Sequence, residues 1–354
     1  MQAALSARDF RPARPPQTAG DDSMMHAWEA RLDALPFAAR LGSRDPALPE
    51  QISDILRDLR ESATSCRDIC RALADAFSDE AEGGMSLALD AIAAAADASG
   101  TGNAYHNPDH SRAVGVSWLN LARIHNRIAP AKPIGAHAFL LGCCAAFGHD
   151  IFHDGTTNMA AGVVVPFRLE RLAADFAGAQ VAAQGAARRD ALAVRAAILC
   201  TDVSAGYPVL AAALAKKPPP PSASLDTDAF ARLADPQAQL AACLLRDADL
   251  LQSAGLRACD HDRATRAILA ERGLAAQLSK HATAELLFCK VLDGRFWSDA
   301  GELFRPSLDT LRALNGLRLR GRADADADLA ELALNFAGAG DEAAAAATRG
   351  PSRA

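Results

Sequence analysis

Apolar residues recur three and four positions apart through Leu48 to Phe77, Pro133 to Phe147, Ala191 to Cys200 and Pro236 to Ala254. That spacing lines them along one face of a helix, so each stretch is predicted to be helical and to bury that face. Alternation with a period of two, the mark of a half-buried strand, is hard to find. The run from Lys216 to Ser224 holds four consecutive prolines, which lack the amide hydrogen a helix needs, so it is predicted to be a surface connection between helical blocks. Residues 1–40, opening with a Pro- and Arg-rich stretch without periodicity, are expected to form a flexible segment, and residues 337–354 a low-complexity tail. Between them, 41–336 reads as one helical domain, within which 41–100 is readable as an N-terminal helical subdomain.

Composition sharpens this to a compact all-α fold. Only 5% of the 354 residues are aromatic, and the abundant alanine favours helix over strand. Lys+Arg 37 against Asp+Glu 43 gives a net charge of −6, which offers no global attraction for nucleic acid or anionic lipid. Neither partner is expected, and any phosphate chemistry has to be local. The longest nearly uncharged apolar stretch, Ala136 to Phe147, is well short of the roughly 20 residues a membrane span needs. The eight cysteines, two of them adjacent as Cys143-Cys144, read as small buried hydrophobes in a reducing compartment. The opening segment lacks the apolar core of a secretory signal, and a cytoplasmic location is expected.

Three segments carry candidate chemistry. In Tyr105-His106-Asn107-Pro108-Asp109-His110, Asn107 reads as a helix N-cap and Pro108 as the first helical position. That arrangement puts His110 in the first turn and His106 just ahead of it. In His149-Asp150-Ile151-Phe152-His153-Asp154-Gly155-Thr156-Thr157-Asn158, a run that follows an apolar helix, an imidazole and a carboxylate are delivered together into the interior. Unpaired ionisable groups are costly there unless they bind a metal or one another. In Arg246-Asp247-Ala248-Asp249-Leu250-Leu251-Gln252, two aspartates two apart lie on nearly opposite helix faces, so at most one joins a common site, and periodicity does not say which. Imidazole and carboxylate together suit Zn²⁺, Mg²⁺ or Mn²⁺. A pair of such ions sharing a carboxylate lowers the pKa of a bridging water and clamps a phosphate, which is the chemistry of phosphate-ester hydrolysis.

Tyr105 to His110, His149 to Asn158, Ile198 to Ser204 and Asp247 to Gln252, in this order, resemble the catalytic domain of the class I 3′,5′-cyclic nucleotide phosphodiesterases, members of the HD-type metal phosphohydrolases. The likeness runs from about Tyr105 to Pro306 and implies a multi-helix catalytic domain with a zinc beside a magnesium or manganese ion. Carried over by position, it makes His110, His149, Asp150 and Asp249 the metal ligands, with Asp150 bridging and Ala248-Asp249-Leu250 matching the family pattern. It makes His106 the general acid, Glu170 the carboxylate that orients His106, and His153, Thr201 and Asn158 residues behind the ligands that fix water and ligand direction. Gln252, Glu285 and Phe288 fall at base-binding positions. Two departures stand out: Leu172 and Ala173 follow Arg171 where the family has histidines, and Glu285 replaces the family glutamine. An ionised carboxylate only accepts hydrogen bonds, whereas an amide also donates.

The expected activity is therefore metal-dependent hydrolysis of cyclic AMP or cyclic GMP to the 5′-monophosphate by a metal-bridging hydroxide with His106 as acid. The alternatives are an HD-type phosphohydrolase of another nucleotide or phosphoester, favoured by Glu285, and a catalytically silent nucleotide-binding module. His125, His137, His261 and His281 lack partners at ligand spacing and read as structural.

Overall fold

Several helices in this protein begin where the sequence supplies a side-chain cap, at Ser65, Asn107, Asp226, Asp235 and Ser298. A computed structural model describes residues 27–39, 48–77, 84–160, 163–273 and 295–311, and the described residues form an all-helical fold whose single sheet is a short hairpin. After a short α1 (Ala27–Leu32), the stretch predicted to be helical from Leu48 to Phe77 forms two helices, α2 (Leu48–Glu61) and α3 (Cys66–Ala76). The break falls at Ala63, which has φ +52°, and at Ser65. The Ser65 hydroxyl accepts from the Asp68 backbone while the Asp68 carboxylate accepts from the Ser65 backbone, a reciprocal cap that starts a new helix. Then follow α4 (Gly84–Ala98), α5 (Pro108–Ile128) and α6 (Ala136–Gly148). A two-strand antiparallel hairpin, β1 (Met159–Ala160) with β2 (Val163–Val164), precedes α7 (Arg168–Ala183) and α8 (Arg188–Leu199). The proline run leads from α9 (Gly206–Leu214) into a 3₁₀ turn at Pro221–Asp226, and its prolines are mostly exposed. A short α10 (Thr227–Phe230), α11 (Pro236–Ala254), α12 (Ala258–Glu271) and α13 (Asp299–Glu302) follow, and the last described residues, 305–311, are again helical.

Helix α5 is buried along its whole length from His110 to Asn126, and α6 and α11 pack against it. Close approach on the α6 side depends on Gly142, because a Cβ there would run into the Trp118 indole. The polar residues of α5 serve the segment before it. Asn120 accepts from the Ala39 amide (2.7 Å) and donates to the Phe37 carbonyl (3.1 Å), and Arg123 donates to the Ala39 carbonyl (3.0 Å). Residues 27–39 are thus packed structure rather than part of a flexible 1–40 segment. Trp28, Leu32 and Phe37 join the core, with the Trp28 ring 4.8 Å from that of Phe139. Trp28 and Leu32 stand four apart, one helical turn, which is the pattern the Pro- and Arg-rich stretch before them obscures. One continuous hydrophobic cluster extends from Trp28 to Leu308. Six of the described cysteines are buried within the protein, Cys259 is exposed, and all are free thiols. No described helix is long and apolar enough to cross a membrane.

Candidate metal and phosphoryl-transfer site

Asn107 caps α5 as the sequence requires, its side-chain oxygen accepting from the amides of Asp109 (3.0 Å) and His110 (3.2 Å), with Pro108 at the first helical position. His110 consequently enters the interior in the first turn. Helix α6 ends at Gly148, and His149 is its C-cap. The His149 Nδ1–H donates to the Ala146 carbonyl at 2.9 Å, which leaves Nε2 as the free nitrogen facing inward. Asp150 follows directly, and Asp249 arrives from α11.

The four side chains meet. His110 Nε2 lies 3.1 Å from Asp150 Oδ2, 3.2 Å from Asp249 Oδ1 and 3.3 Å from His149 Nε2. His149 Nε2 lies 3.0 Å from Asp150 Oδ2 and 3.7 Å from Asp249 Oδ1. Donors bound to one cation at about 2.1 Å stand roughly 3.0–3.4 Å apart in octahedral or tetrahedral geometry, so all of these separations but the 3.7 Å between His149 and Asp249 match the edges of a coordination shell. Two imidazole nitrogens turned toward each other cannot both donate, and a shared positive centre satisfies both. The donor set therefore fits a divalent cation.

Without an ion, protons hold the cluster together. Burial alone would lower the His110 pKa, but hydrogen bonds and charge from Asp150 and Asp249 outweigh it and raise the value to about 9. His149 shifts upward by the same contest, with Asp150 as its main partner. Burial pulls the Asp249 carboxyl up, yet hydrogen bonds from His110 and His149 hold it well below the usual carboxylate range.

Asp247, two residues before Asp249, has a different task. It is fully buried, pairs with Arg246 at 2.8 Å, and accepts from the Ser298 amide and hydroxyl, both at 2.7 Å, and from the Trp297 amide at 2.9 Å. It anchors residues 297–298 to α11.

A second cluster sits beside the first. The His106 Nδ1 forms a very short hydrogen bond with Glu271 Oε1, and Glu271 Oε2 accepts from the amides of Tyr105 (2.8 Å) and His106 (2.9 Å). Glu271, the last residue of α12, is thus the carboxylate that orients His106. This corrects the assignment of Glu170, whose carboxylate instead accepts from Asn158 Nδ2 at 2.8 and 3.1 Å. The reason is local: α7 begins at Arg168 after Phe167 in a left-handed conformation, φ +60°, and its first turn faces Asn158 and Asp202. Burial and the Asp202 charge push the Glu170 pKa up to about 8, against the Asn158 hydrogen bond. Although burial would raise it, the Glu271 carboxyl is depressed to about 2 by hydrogen bonding with His106 and by its charge.

His153 stacks on His106, centroids 3.6 Å apart and planes 20° from parallel, and its Nδ1 accepts from the Gly155 amide at 3.0 Å. Gly155 has φ +76°, a conformation glycine supplies without strain. Burial and the His106 charge lower the His153 pKa to about 4. His106, His153 and Glu271 have nitrogen and oxygen atoms within 4.8 Å of one another. Nearly parallel stacked rings, however, direct their lone pairs in separate planes, and both Glu271 oxygens are already engaged. The group fixes the His106 ring by stacking and hydrogen bonding and is less suited than the first cluster to cradle an ion.

The remaining predicted residues are placed as follows. Asn158 Oδ1 accepts from the Leu169 amide (3.0 Å), and its Nδ2 also reaches Asp202 (3.1 Å). Thr201 follows the C-cap of α8, with its hydroxyl turned back to the Ile198 carbonyl (2.7 Å). Gln252, expected at the base, has Oε1 3.3 Å from His110 Nδ1 and supports a ligand. Glu285 and Phe288 lie outside the described residues, as does His281. His125 bonds the Lys132 carbonyl (3.0 Å), His261 the Ser253 carbonyl (2.7 Å), and His137 pairs with Asp190 (3.1 Å). Sequence reasoning missed Glu271 and Asp202. Asp202 accepts from the amides of Phe167, Ser204 and Ala205, and its signal was its position beside Thr201. Glu271 had no local signal.

No protein-family model and no curated protein matches this chain. Among solved structures it is similar to the phosphodiesterase domain of the RhoPDE fusion protein from the choanoflagellate Salpingoeca rosetta. The identity is 17% and the TM-score 0.47, over 89% of this chain and 99% of that one. That likeness is too distant to transfer an activity, so the chemical reading rests on the side chains described above.

Proposed function

We propose that this protein is a metal-dependent phosphodiesterase that opens 3′,5′-cyclic nucleotides to 5′-monophosphates. The observation that carries the reading is the convergence of His110, His149, Asp150 and Asp249 beside an imidazole, His106, that is held by a carboxylate and is not part of the cation cradle. Divalent cations on those four ligands, a zinc with a magnesium or manganese, would supply positive charge at the phosphoryl oxygens and acidify water there. His106 keeps its Nδ1 proton on Glu271, so the proton it gives up is on Nε2. The acceptor is the O3′ that leaves as the P–O3′ bond breaks, while the water oxygen takes its place on phosphorus and one of the water protons passes through solvent to restore His106 Nε2. Glu271, bonded to Nδ1, fixes the direction of the ring and aims Nε2 at the leaving oxygen. Glu170, Asn158 and Asp202 form a hydrogen-bonded polar wall whose carboxylates can orient water.

The test is turnover of cyclic AMP, cyclic GMP and bis(p-nitrophenyl) phosphate by purified protein with Mn²⁺ or Mg²⁺, with Asp150→Ala as control. Hydrolysis of a cyclic nucleotide that the control lacks is the expected result. Turnover of the simple diester alone points to another phosphohydrolase. Nucleotide binding without metal-dependent turnover points to a sensor.

A further inference from the structure

Away from the metal cluster, a half-open cavity of about 730 Å³ lies among the N-terminal parts of α6, α8 and α11, a size typical of small-molecule sites. Its walls are apolar and mostly small: Ala138, Leu141, Ala193, Val194, Ala238 and Ala241. Gly142 is in the floor, with the Trp118 ring directly against it. The mouth is polar, and its hydrogen-bonding capacity is unbalanced. Each acceptor side chain has a donor. Asp235 receives the Gln237 amide (2.9 Å) and Arg232 Nη2 (2.8 Å), Asp190 receives His137 Nε2 (3.1 Å), and the Gln237 side-chain oxygen receives the Gly135 amide (2.9 Å).

Donors are left over. Arg232 Nε is buried with no acceptor, and the exposed Arg189 guanidinium has Asp190 only at 3.7 Å. The first turns of α6 and α8, neither with a side-chain cap, open at the same mouth. A buried N–H without a partner is costly, and a guanidinium is matched by a planar anion.

We propose that this cavity is a second ligand site, for a small molecule with a flat apolar body and one anionic group, the body lying on the alanine-lined walls and the anion on Arg232 and Arg189. The three helices around it continue into the candidate metal site. His149 is seven residues beyond Gly142, about 10 Å along α6, and Asp249 is eight beyond Ala241, about 12 Å along α11. Helix α8 ends at Leu199, just before Thr201 and Asp202, so an occupant here touches the far ends of elements that position site residues.

The probe is 8-anilinonaphthalene-1-sulfonate, titrated by fluorescence and calorimetry into the purified full-length chain. Saturable one-to-one binding is expected. It should be abolished in Ala193→Trp, which fills the cavity, weakened at least about fivefold in Arg232→Gln and Arg189→Ala, which remove charge-assisted donors, and retained in Asp249→Ala. Absence of saturable binding, or binding that all three cavity variants leave unchanged, overturns the proposal. If Ala193→Trp does not fold, the two arginine variants decide. The outcome is independent of whether cyclic nucleotides are turned over.

Discussion

At the residue scale, neighbouring carboxylates of one helix do unlike work because they face unlike partners. Asp249→Ala removes one of four donors, so it is expected to lose bound metal while keeping a cooperative melt. Asp247→Ala leaves Arg246 without its buried partner and frees residues 297–298 from α11, a loss of about 3–5 kcal/mol of stability. Metal analysis and thermal melting on both variants separate the two roles, and an Asp249→Ala protein that is fully loaded with metal would refute the ligand assignment.

Glu271→Gln keeps the shape of the His106 pair but replaces the charged acceptor at Nδ1 with a neutral amide. Turnover is expected to fall on the order of a hundredfold with metal content unchanged, whereas Glu170→Gln leaves the His106 pair intact. Equal turnover in Glu271→Gln and the wild type would remove His106 and Glu271 from the proton-transfer path.

At the scale of elements, the site depends on three helix ends arriving together, and the sequence shows how each end is made. Asn107-Pro108 starts α5, the apolar run of α6 stops at Gly148-His149, and α11 carries Asp249 five residues before its last residue. Their mutual distance is set by close packing rather than by the caps. Gly142→Ala drives a methyl into Trp118 and is expected to cost about 1–3 kcal/mol. It should lower the melting temperature and weaken metal binding together; an unchanged melt would show that α5 and α6 can separate freely. The same reasoning explains where the sequence was legible. Buried helix faces, the α5 cap and the histidine-aspartate cluster all leave local patterns. The split between α2 and α3 was hidden because apolar spacing continues across Ser65 while the reciprocal cap interrupts the backbone. The packing of residues 27–39 was hidden because its partners, Asn120 and Arg123, lie more than eighty residues away.

For the whole molecule, cation binding, protonation and folding are one linked equilibrium. The metal-free folded protein holds the His110 proton up to about pH 9, against 6.5 for an ordinary imidazole, so that contribution to stability is complete below 6.5 and lost as pH rises through 9. Glu170 acts with the same sign, since its folded value of about 8 exceeds the ordinary 4.5 and its protonated form favours the folded state. In EDTA the melting temperature is therefore expected to fall between about pH 6 and 9. Zinc affinity should rise over the same range, because His110 must release its proton to coordinate. Saturating zinc, at about a hundred times its dissociation constant, should add about 2.7 kcal/mol of stability, and none in Asp249→Ala. A melting temperature in EDTA that rises with pH would contradict the protonated cluster.

By itself the sequence determined the helical class, the N-cap that turns His110 inward, and the chemistry of a histidine-aspartate cluster at the end of an apolar helix. All of these follow from short-range periodicity and from the cost of burying charge. Only the tertiary structure decided that Glu271 rather than Glu170 holds His106 and that Gln252 reaches His110, and it brings Asp249, the aspartate of α11 that the family resemblance had already named, against the two histidines. Those choices are contacts between residues about 100 to 165 positions apart, made by helix packing, and no local pattern encodes which side chains such packing brings within hydrogen-bond reach.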